Sequence, residues 1–155
     1  MNQVRITRKQ EDLYRINICD DGTEIVFDLA DIGLPFKCNK AFQEVEKNKQ
    51  VAIGKIKALE NQKNVKETGN LFGTVERQIL NTYKEMFERN RQIMDDFFGC
   101  PGAMQKLFGD ANYMDMYDDL FEQFEPHFEA MQLNTETIKE RLKKKYQKKQ
   151  NDVLS

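Results

Sequence analysis

The chain has 155 residues, with 24 Lys and Arg against 26 Asp and Glu and a formal net charge of -2. A mean hydropathy of -0.75 marks it as polar, yet 11 Phe, 7 Met and 5 Tyr supply enough apolar bulk for a core, which sets it apart from disordered chains. So small a net charge offers no global field to recruit nucleic acid or membrane.

The length suits about one domain, and three prolines and eight glycines in so charged a chain favour helices. No run approaches the eighteen or so apolar residues of a membrane span, and MNQVRITRKQ has no apolar targeting segment. The three cysteines, Cys19, Cys38 and Cys100, are widely spaced, form no CxxC pair and have one histidine, His127, for company. That is no zinc ligand set. Reduced thiols in a soluble, cytosolic protein are the expectation.

Near the N-terminus the period is two. Tyr14, Ile16 and Ile18 alternate with polar residues, Glu24-Ile25-Val26-Phe27-Asp28-Leu29 follows, and Asp20-Asp21-Gly22-Thr23 lies between. Alternation around an Asp-Gly turn predicts a β-hairpin. Val4 and Ile6 extend the pattern to a third strand at 3–8. Gly33-Leu34-Pro35 then breaks it, and a helix is predicted over about 39–65. Phe42, Val45, Ala52, Ile56 and Leu59 fall on a narrow seam, with Lys49 in the slot between. A solvated helix packed along one line on a neighbour accounts for that seam better than a self-associating coiled coil, which would have only about three heptads.

A second helix, 74–98, carries the broad face Val75, Ile79, Tyr83, Met86, Phe87, Asn90, Ile93, Met94 and Phe97. Gly99 is placed as its C-cap, and Pro101 suits the first turn of a short helix, 101–108, with Ala103, Met104, Leu107 and Phe108 on one side and Gly109 closing it. Asp110 or Asn112 is placed to cap a helix over 112–130, with Met114, Tyr117, Leu120, Phe121 and Phe124 together and Pro126 kinking or ending it. A last helix, 135–149, has only Ile138, Leu142 and Tyr146 as apolar residues among Lys139, Arg141, Lys143, Lys144, Lys145, Lys148 and Lys149. With so few core contacts it is expected to be detached, mobile or ordered by a partner. The whole is therefore an α+β fold, mostly α. A single domain over 1–134 packs a small antiparallel sheet (3–29) on a helical bundle, and a basic helix follows in 135–155.

No catalytic or metal-binding constellation assembles from the sequence. Any Ser-His-Asp or Cys-His arrangement must use His127, which sits beside Pro126 on the aromatic helix; a half-buried or surface histidine is the better account of it. Asp95-Asp96 and Asp118-Asp119 are adjacent acids pointing about 100° apart on a helix, so they do not chelate by themselves. Asp110-Ala-Asn112-Tyr-Met-Asp115 begins like a calcium loop but lacks its sixth-position Gly and twelfth-position Glu. Gly69-Asn-Leu-Phe-Gly73-Thr74 lacks the Lys of a phosphate loop. No enzyme, cofactor or metal is expected. The lysine-rich end has two readings, as a sequence-blind phosphate binder or as a solvated helix terminus, and the second is the commoner cause.

One segment concentrates both apolar bulk and negative charge. Between Lys106 and Lys139 there is no Lys or Arg, while Asp115, Asp118, Asp119, Glu122, Glu125 and Glu129 accumulate beside Tyr, Phe and Met. A hairpin ending in FDLADIGLP leads through charged helices to IMDDFFGCPGAMQKLFGDANYMDMYDDLFEQF, in which two Phe-Gly stops enclose a two-turn helix. This ordering over about 13–130, and best over Asp95 to Phe121, resembles the small tail assembly chaperones of long-tailed bacteriophages of Gram-positive hosts. The resemblance implies a non-enzymatic protein of the host cytoplasm, absent from the mature virion. It would bind the hydrophobic, helical tape-measure protein until tail-tube subunits polymerise around it. It further implies self-association, with the tail-tube protein as a second partner.

An apolar client calls for adaptable Met and aromatic side chains, and the expected partner-binding set is Met104, Phe108, Tyr113, Met114, Met116, Tyr117 and Phe121. Of these, Phe108, Tyr117 and Phe121, like Phe97, Phe98, Leu107 and Leu120, are better explained as core than as contact. Tyr113 and Met116 fall off the main face and are the residues expected to be exposed. The alternative function, from a different class, is a nucleic-acid-associated regulatory protein using the basic C-terminal helix.

Overall fold

The computed structural model describes residues 2–132 and, in the C-terminal stretch, 139, 140, 142–144 and 146–148. The fold is α+β and mostly α. A 3-10 turn (Gln10–Asp12) leads into β1 (Leu13–Asn17) and β2 (Glu24–Asp28); α1 (Leu34–Glu60), α2 (Thr74–Phe98), α3 (Ala103–Phe108) and α4 (Met116–Ala130) follow. The strands pair as a two-stranded antiparallel sheet. Two compact units share the chain, one comprising 1–15, 26–35 and 112–155, the other 16–25 and 36–111.

The hairpin register follows from its two flanking bonds. Leu29 N–H donates to Asp12 O at 2.7 Å and Ile18 N–H to Thr23 O at 3.0 Å. These bonds set Tyr14 opposite Phe27 and Ile16 opposite Ile25, and of these Ile16, Ile25 and Phe27 are buried. Gly22, at φ +86°, takes the left-handed corner of the turn. The third strand expected at 3–8 does not form. Residues 2–9 are irregular, with Val4 and Ile6 exposed at 90% and 84%. Arg8 is held instead by Asp28 (Nε to Oδ2, 2.5 Å) and Asp12 (3.6 Å), and the 3-10 turn redirects the chain before β1.

In the unit built from 16–25 and 36–111, α1 and α2 run antiparallel. Phe42 meets Phe97 edge-to-face at 6.4 Å, and Asn48 Nδ2 donates to Asn90 Oδ1 at 2.9 Å. The α1 seam is buried at Cys38, Ala41, Val45, Ala52 and Ile56, steps of three, four and seven residues. Asn48, rather than the expected Lys49, fills the slot on this seam and makes the cross-helix bond. Burial pushes the Cys38 thiol up to about 11, so it stays protonated at neutral pH.

Helix α1 starts at Leu34, earlier than the expected 39, because Pro35 is tolerated in a first turn that needs no N–H. It ends at Glu60 rather than 65, where the loop turns to cap α2. Asn64 Oδ1 accepts from Val75 N–H (3.1 Å) and its Nδ2 donates to Glu76 (2.7 Å), packed so closely on Gly73 that a Cβ there would have to displace the Asn64 side chain.

Gly99, at φ +61°, caps α2 as its place in the sequence implies, bonding Asp95 O and Asp96 O. Helix α3 begins at Ala103 and leaves Pro101 outside, since Gly102 sits at φ +78° and interrupts helical geometry. Asp95 reaches across this corner, its carboxylate accepting from Met104 N–H (2.8 Å) and Gly102 N–H (3.3 Å). The hairpin tip is tied to α3 by Lys106 Nζ and Asp21 Oδ2 at 2.6 Å. The Lys106 ammonium and the Thr23 hydroxyl and amide hold the Asp21 carboxyl well below the usual carboxylate range, and the same partner raises Lys106.

In the other unit, Tyr14 and α4 share an aromatic layer. Tyr14 Oη lies 3.0 Å from His127 Nδ1, and Phe124 stacks against both His127 and Phe128 at about 6 Å. Met116, Tyr117, Leu120, Phe124 and Met131 are buried. Helix α4 starts at Met116 rather than 112, with Asp115 at the N-cap position; neither Asp110 nor Asn112 caps it. It also passes through Pro126, which was expected to kink or end it, and continues to Ala130. The missing N–H falls on the exposed side, where water can serve the Glu122 carbonyl, while Phe124 and Met131 are buried on either flank. The predicted helix at 135–149 lies partly outside the described residues; those of it that are described are helical and exposed.

Two predictions follow from these contacts. Asp95→Ala leaves the α3 N-terminus without its acceptor and should lower stability by about 1 kcal/mol in urea unfolding at neutral pH. Asp21 has its pKa lowered by folding, so its contribution is complete above the unfolded carboxylate value of about 4 and is lost as pH falls further. Lys106, raised, contributes until the pH climbs through its folded value. Lys106→Met should therefore flatten part of the acid limb and part of the alkaline limb of a Tm-versus-pH curve, and a curve parallel to wild type would contradict the pairing.

Candidate functional site

The expected partner-binding residues separate by burial. Met104 on α3 is sealed, Phe108 on the same helix is half-buried, and both belong to the unit built from 16–25 and 36–111. The other five lie in the segment 112–132. There Met116 is fully buried and Tyr117 buried, Phe121 is half-buried, and Tyr113 and Met114 are exposed at 41% and 48%.

Met116 thus corrects the expectation that it would be exposed. It occupies the first turn of α4, one residue after Asp115, and its backbone N–H donates to Tyr113 O at 3.1 Å. That turn directs Met116 inward and leaves the two preceding residues outside. On α4 Met116 lies four residues before Leu120 and eight before Phe124, so it shares their buried side.

Tyr113 is exposed but not loose. Its hydroxyl donates to Asp119 Oδ2 at 2.7 Å, and the carboxylate raises the phenol pKa. The ring is thereby held at the mouth of α4, beside the polarisable Met114. Around it the helix exterior is anionic. Asp115, Asp118, Glu122, Glu125 and Glu129 are all exposed and recur at alternating steps of three and four, which draws one carboxylate line along α4. Opposite that line lie Leu120 and Phe124, buried. What this segment presents is a small aromatic–thioether patch at one end of an acidic ridge, suited to a partner with apolar and basic groups on one helix face.

The residues weighed for catalysis have structural employment. His127 is half-buried and engaged with Tyr14; Asp95 caps α3, and Asp96 Oδ1 accepts from Gln92 Nε2 at 2.8 Å. Among the described residues no cluster of His, Cys, Asp and Glu has the composition of a metal site, and no helix is long and apolar enough to cross a membrane. A shallow cleft between α1 and α2, lined by Asn48, Ala52, Lys55, Glu85, Met86 and Arg89, mixes charge of both signs and converges on no point.

Sequence periodicity missed other exposed apolar side chains, Leu71 and Phe72 in the loop before α2 and Phe36 at the start of α1. They lie in or beside irregular segments, where a helical or strand period gives no facing information. The only signal available was their position beside breakers, Gly69, Gly73 and Pro35.

No protein-family model, no characterised protein and no solved structure matches the chain.

Adjacent methionines give the direct check on this geometry. Met116→Ala should cost about 2–5 kcal/mol by emptying a sealed site, whereas Met114→Ala should stay within about 0.5 kcal/mol of wild type. Urea unfolding of the two variants side by side measures both, and equal effects would refute the placement of the α4 start.

Proposed function

We propose that this chain is a tail assembly chaperone of a long-tailed bacteriophage, a non-enzymatic protein of the host cytoplasm. It binds the tape-measure protein and keeps it soluble until the tail tube polymerises around it. The observation that carries this reading is the exposed Tyr113–Met114 pair at the head of an acidic helix, inside the segment whose ordering resembles that family.

Three physical properties support the role. A helical, apolar client needs a surface that accepts varied side chains, and an unbranched thioether beside an aromatic ring provides one. The complex must remain soluble, and the carboxylate line along α4 keeps net negative charge beside the contact. The chaperone must also leave when tube subunits arrive. A patch of two half-exposed side chains is far smaller than the roughly 800 Å² per partner of a stable interface, so each contact is individually weak and displaceable. Several copies along one long client then act together by avidity.

Co-expression with a tape-measure fragment tests the proposal. The wild-type chain should hold the fragment in the soluble fraction and co-purify with it. Tyr113→Ala/Met114→Ala, folded by circular dichroism, should lose most of both effects. Undiminished co-purification by the double variant would remove this patch as the contact, and a fragment that aggregates equally with wild-type chain would overturn the chaperone function itself.

A further inference from the structure

The small net charge of the whole chain conceals a local excess. Residues 47–66, the second half of α1 and the start of the loop after it, hold six lysines against one glutamate. All but Lys49 are exposed, and none of the six makes an ion pair among the described residues. The loop that joins α1 to α2 also carries exposed apolar side chains, Leu71 at 78%, Val65 at 44% and Phe72 at 41%.

That loop is built rather than slack. Thr74 N–H donates to Val65 O at 2.8 Å, and Val65 N–H donates to Thr74 Oγ1 at 3.1 Å. Asn70 N–H closes a turn on Glu67 O at 3.2 Å, with Gly69 at φ +86° taking its left-handed corner. Asn64 ties the same loop to the first turn of α2 through Val75 and Glu76. Leu71 and Phe72 are therefore held out at the end of the helix pair by an ordered frame. Three carboxylates share this end: Glu60 ends α1, Glu67 faces Arg77 at 3.7 Å, and Glu76 bonds Asn64. Lys55, Lys57, Lys63 and Lys66 stand against them beside Arg77, so the local balance stays positive.

We infer that the loop 61–73 is a peripheral docking site for an anionic lipid surface. Leu71 and Phe72 enter the boundary between headgroups and acyl chains, and the four lysines lie over the headgroup layer. Lys55 and Lys57 stand within about 8 Å of the end of α1 along its axis, about one Debye length at physiological salt, so both reach the field of the surface. The chemistry favours lipid over the other anionic partners. Every cation of 47–66 is a lysine, a point charge suited to a diffuse field, whereas geometric recognition of carboxylate or phosphate draws on the arginine fork. A nucleic acid would engage the lysines and leave Leu71 and Val65 in water. A protein helix docks in a groove between elements, whereas Leu71 and Phe72 are neighbours in one loop, arranged to enter a layer. Among the described residues no helix is long and apolar enough to cross a membrane, and two side chains with four charges make a reversible attachment. This inference does not rest on the client reading and concerns a different part of the chain.

Co-sedimentation of the full chain with vesicles tests it. The wild-type chain should pellet with phosphatidylcholine vesicles that contain phosphatidylglycerol, stay in the supernatant with phosphatidylcholine alone, and be released as salt rises. Leu71→Asp/Phe72→Asp and Lys63→Glu/Lys66→Glu should each weaken binding about tenfold or more with an unchanged circular dichroism spectrum. The chain has no Trp, so Phe72→Trp reports on the site directly. Its emission should shift to the blue on the mixed vesicles and be quenched by brominated acyl chains. A wild-type chain that stays in solution would overturn the proposal, whether or not it captures an oligonucleotide or an acidic helix instead. So would binding that survives both double substitutions, as binding through the lysine-rich C-terminus would, or a bound Phe72→Trp chain whose emission does not move.

Discussion

Asn90 is the buried polar side chain of the described core, 1% exposed in the middle of α2. An amide removed from water must find a partner inside or cost several kcal/mol. Asn48 supplies it from α1 at 2.9 Å. An apolar seam alone tolerates sliding by one turn, because Val, Ala and Ile are nearly interchangeable against a facing groove. The amide pair does not, since a slip in either direction would strand the buried Asn90 amide without its half-buried partner Asn48. With this register set, Phe42 falls against Phe97, and Phe97 adjoins Phe98 and the Gly99 stop where the chain turns into α3. Helix α1 is long, polar and poorly amphipathic, so this one polar contact contributes more specificity than stability.

The acidic residues divide into two working populations, and local geometry rather than charge separates them. Asp21, Asp28, Asp31 and Asp95 each accept backbone N–H groups at turns or helix starts, and Asp21 and Asp28 each take a cation as well. These carboxylates hold the hairpin and the α2–α3 corner in shape. On α4, by contrast, Asp115, Asp118, Glu122, Glu125 and Glu129 face solvent along a single line. The first population sits where the backbone has donors to spare. The second sits on a helix exterior whose own donors are already used.

Periodicity made most of the elements legible. The hairpin, the α2 span and its Gly99 cap, and the enclosed short helix all follow from period-two and period-3.6 patterns with glycine punctuation. The misses have a common cause, in that pattern reports a residue's neighbours along the chain and not what waits across space. Val4 and Ile6 alternate as a strand does but find no ladder. Pro126 looks like a stop, yet buried residues on both sides carry the helix past it. The patch was legible as a composition and not as a surface. Tyr113, Met114, Met116 and Tyr117 look alike in sequence, and only the position of the first α4 turn decides that two point out and two point in.

That turn also explains why the chain bears an exposed aromatic–thioether pair without an obvious penalty. Tyr113 and Met114 lie in an exposed four-residue segment, 112–115, between the end of one compact unit and the start of α4. Tyr113 O accepts the Met116 N–H at 3.1 Å, which fixes the turn that seats Met116 and Tyr117 in buried sites and leaves Tyr113 and Met114 outside. Each of those sites is worth about 1.5–3 kcal/mol of burial. The Tyr113–Asp119 bond then removes the freedom of the ring that remains outside, so less conformational entropy is left for a partner to remove when it covers the patch.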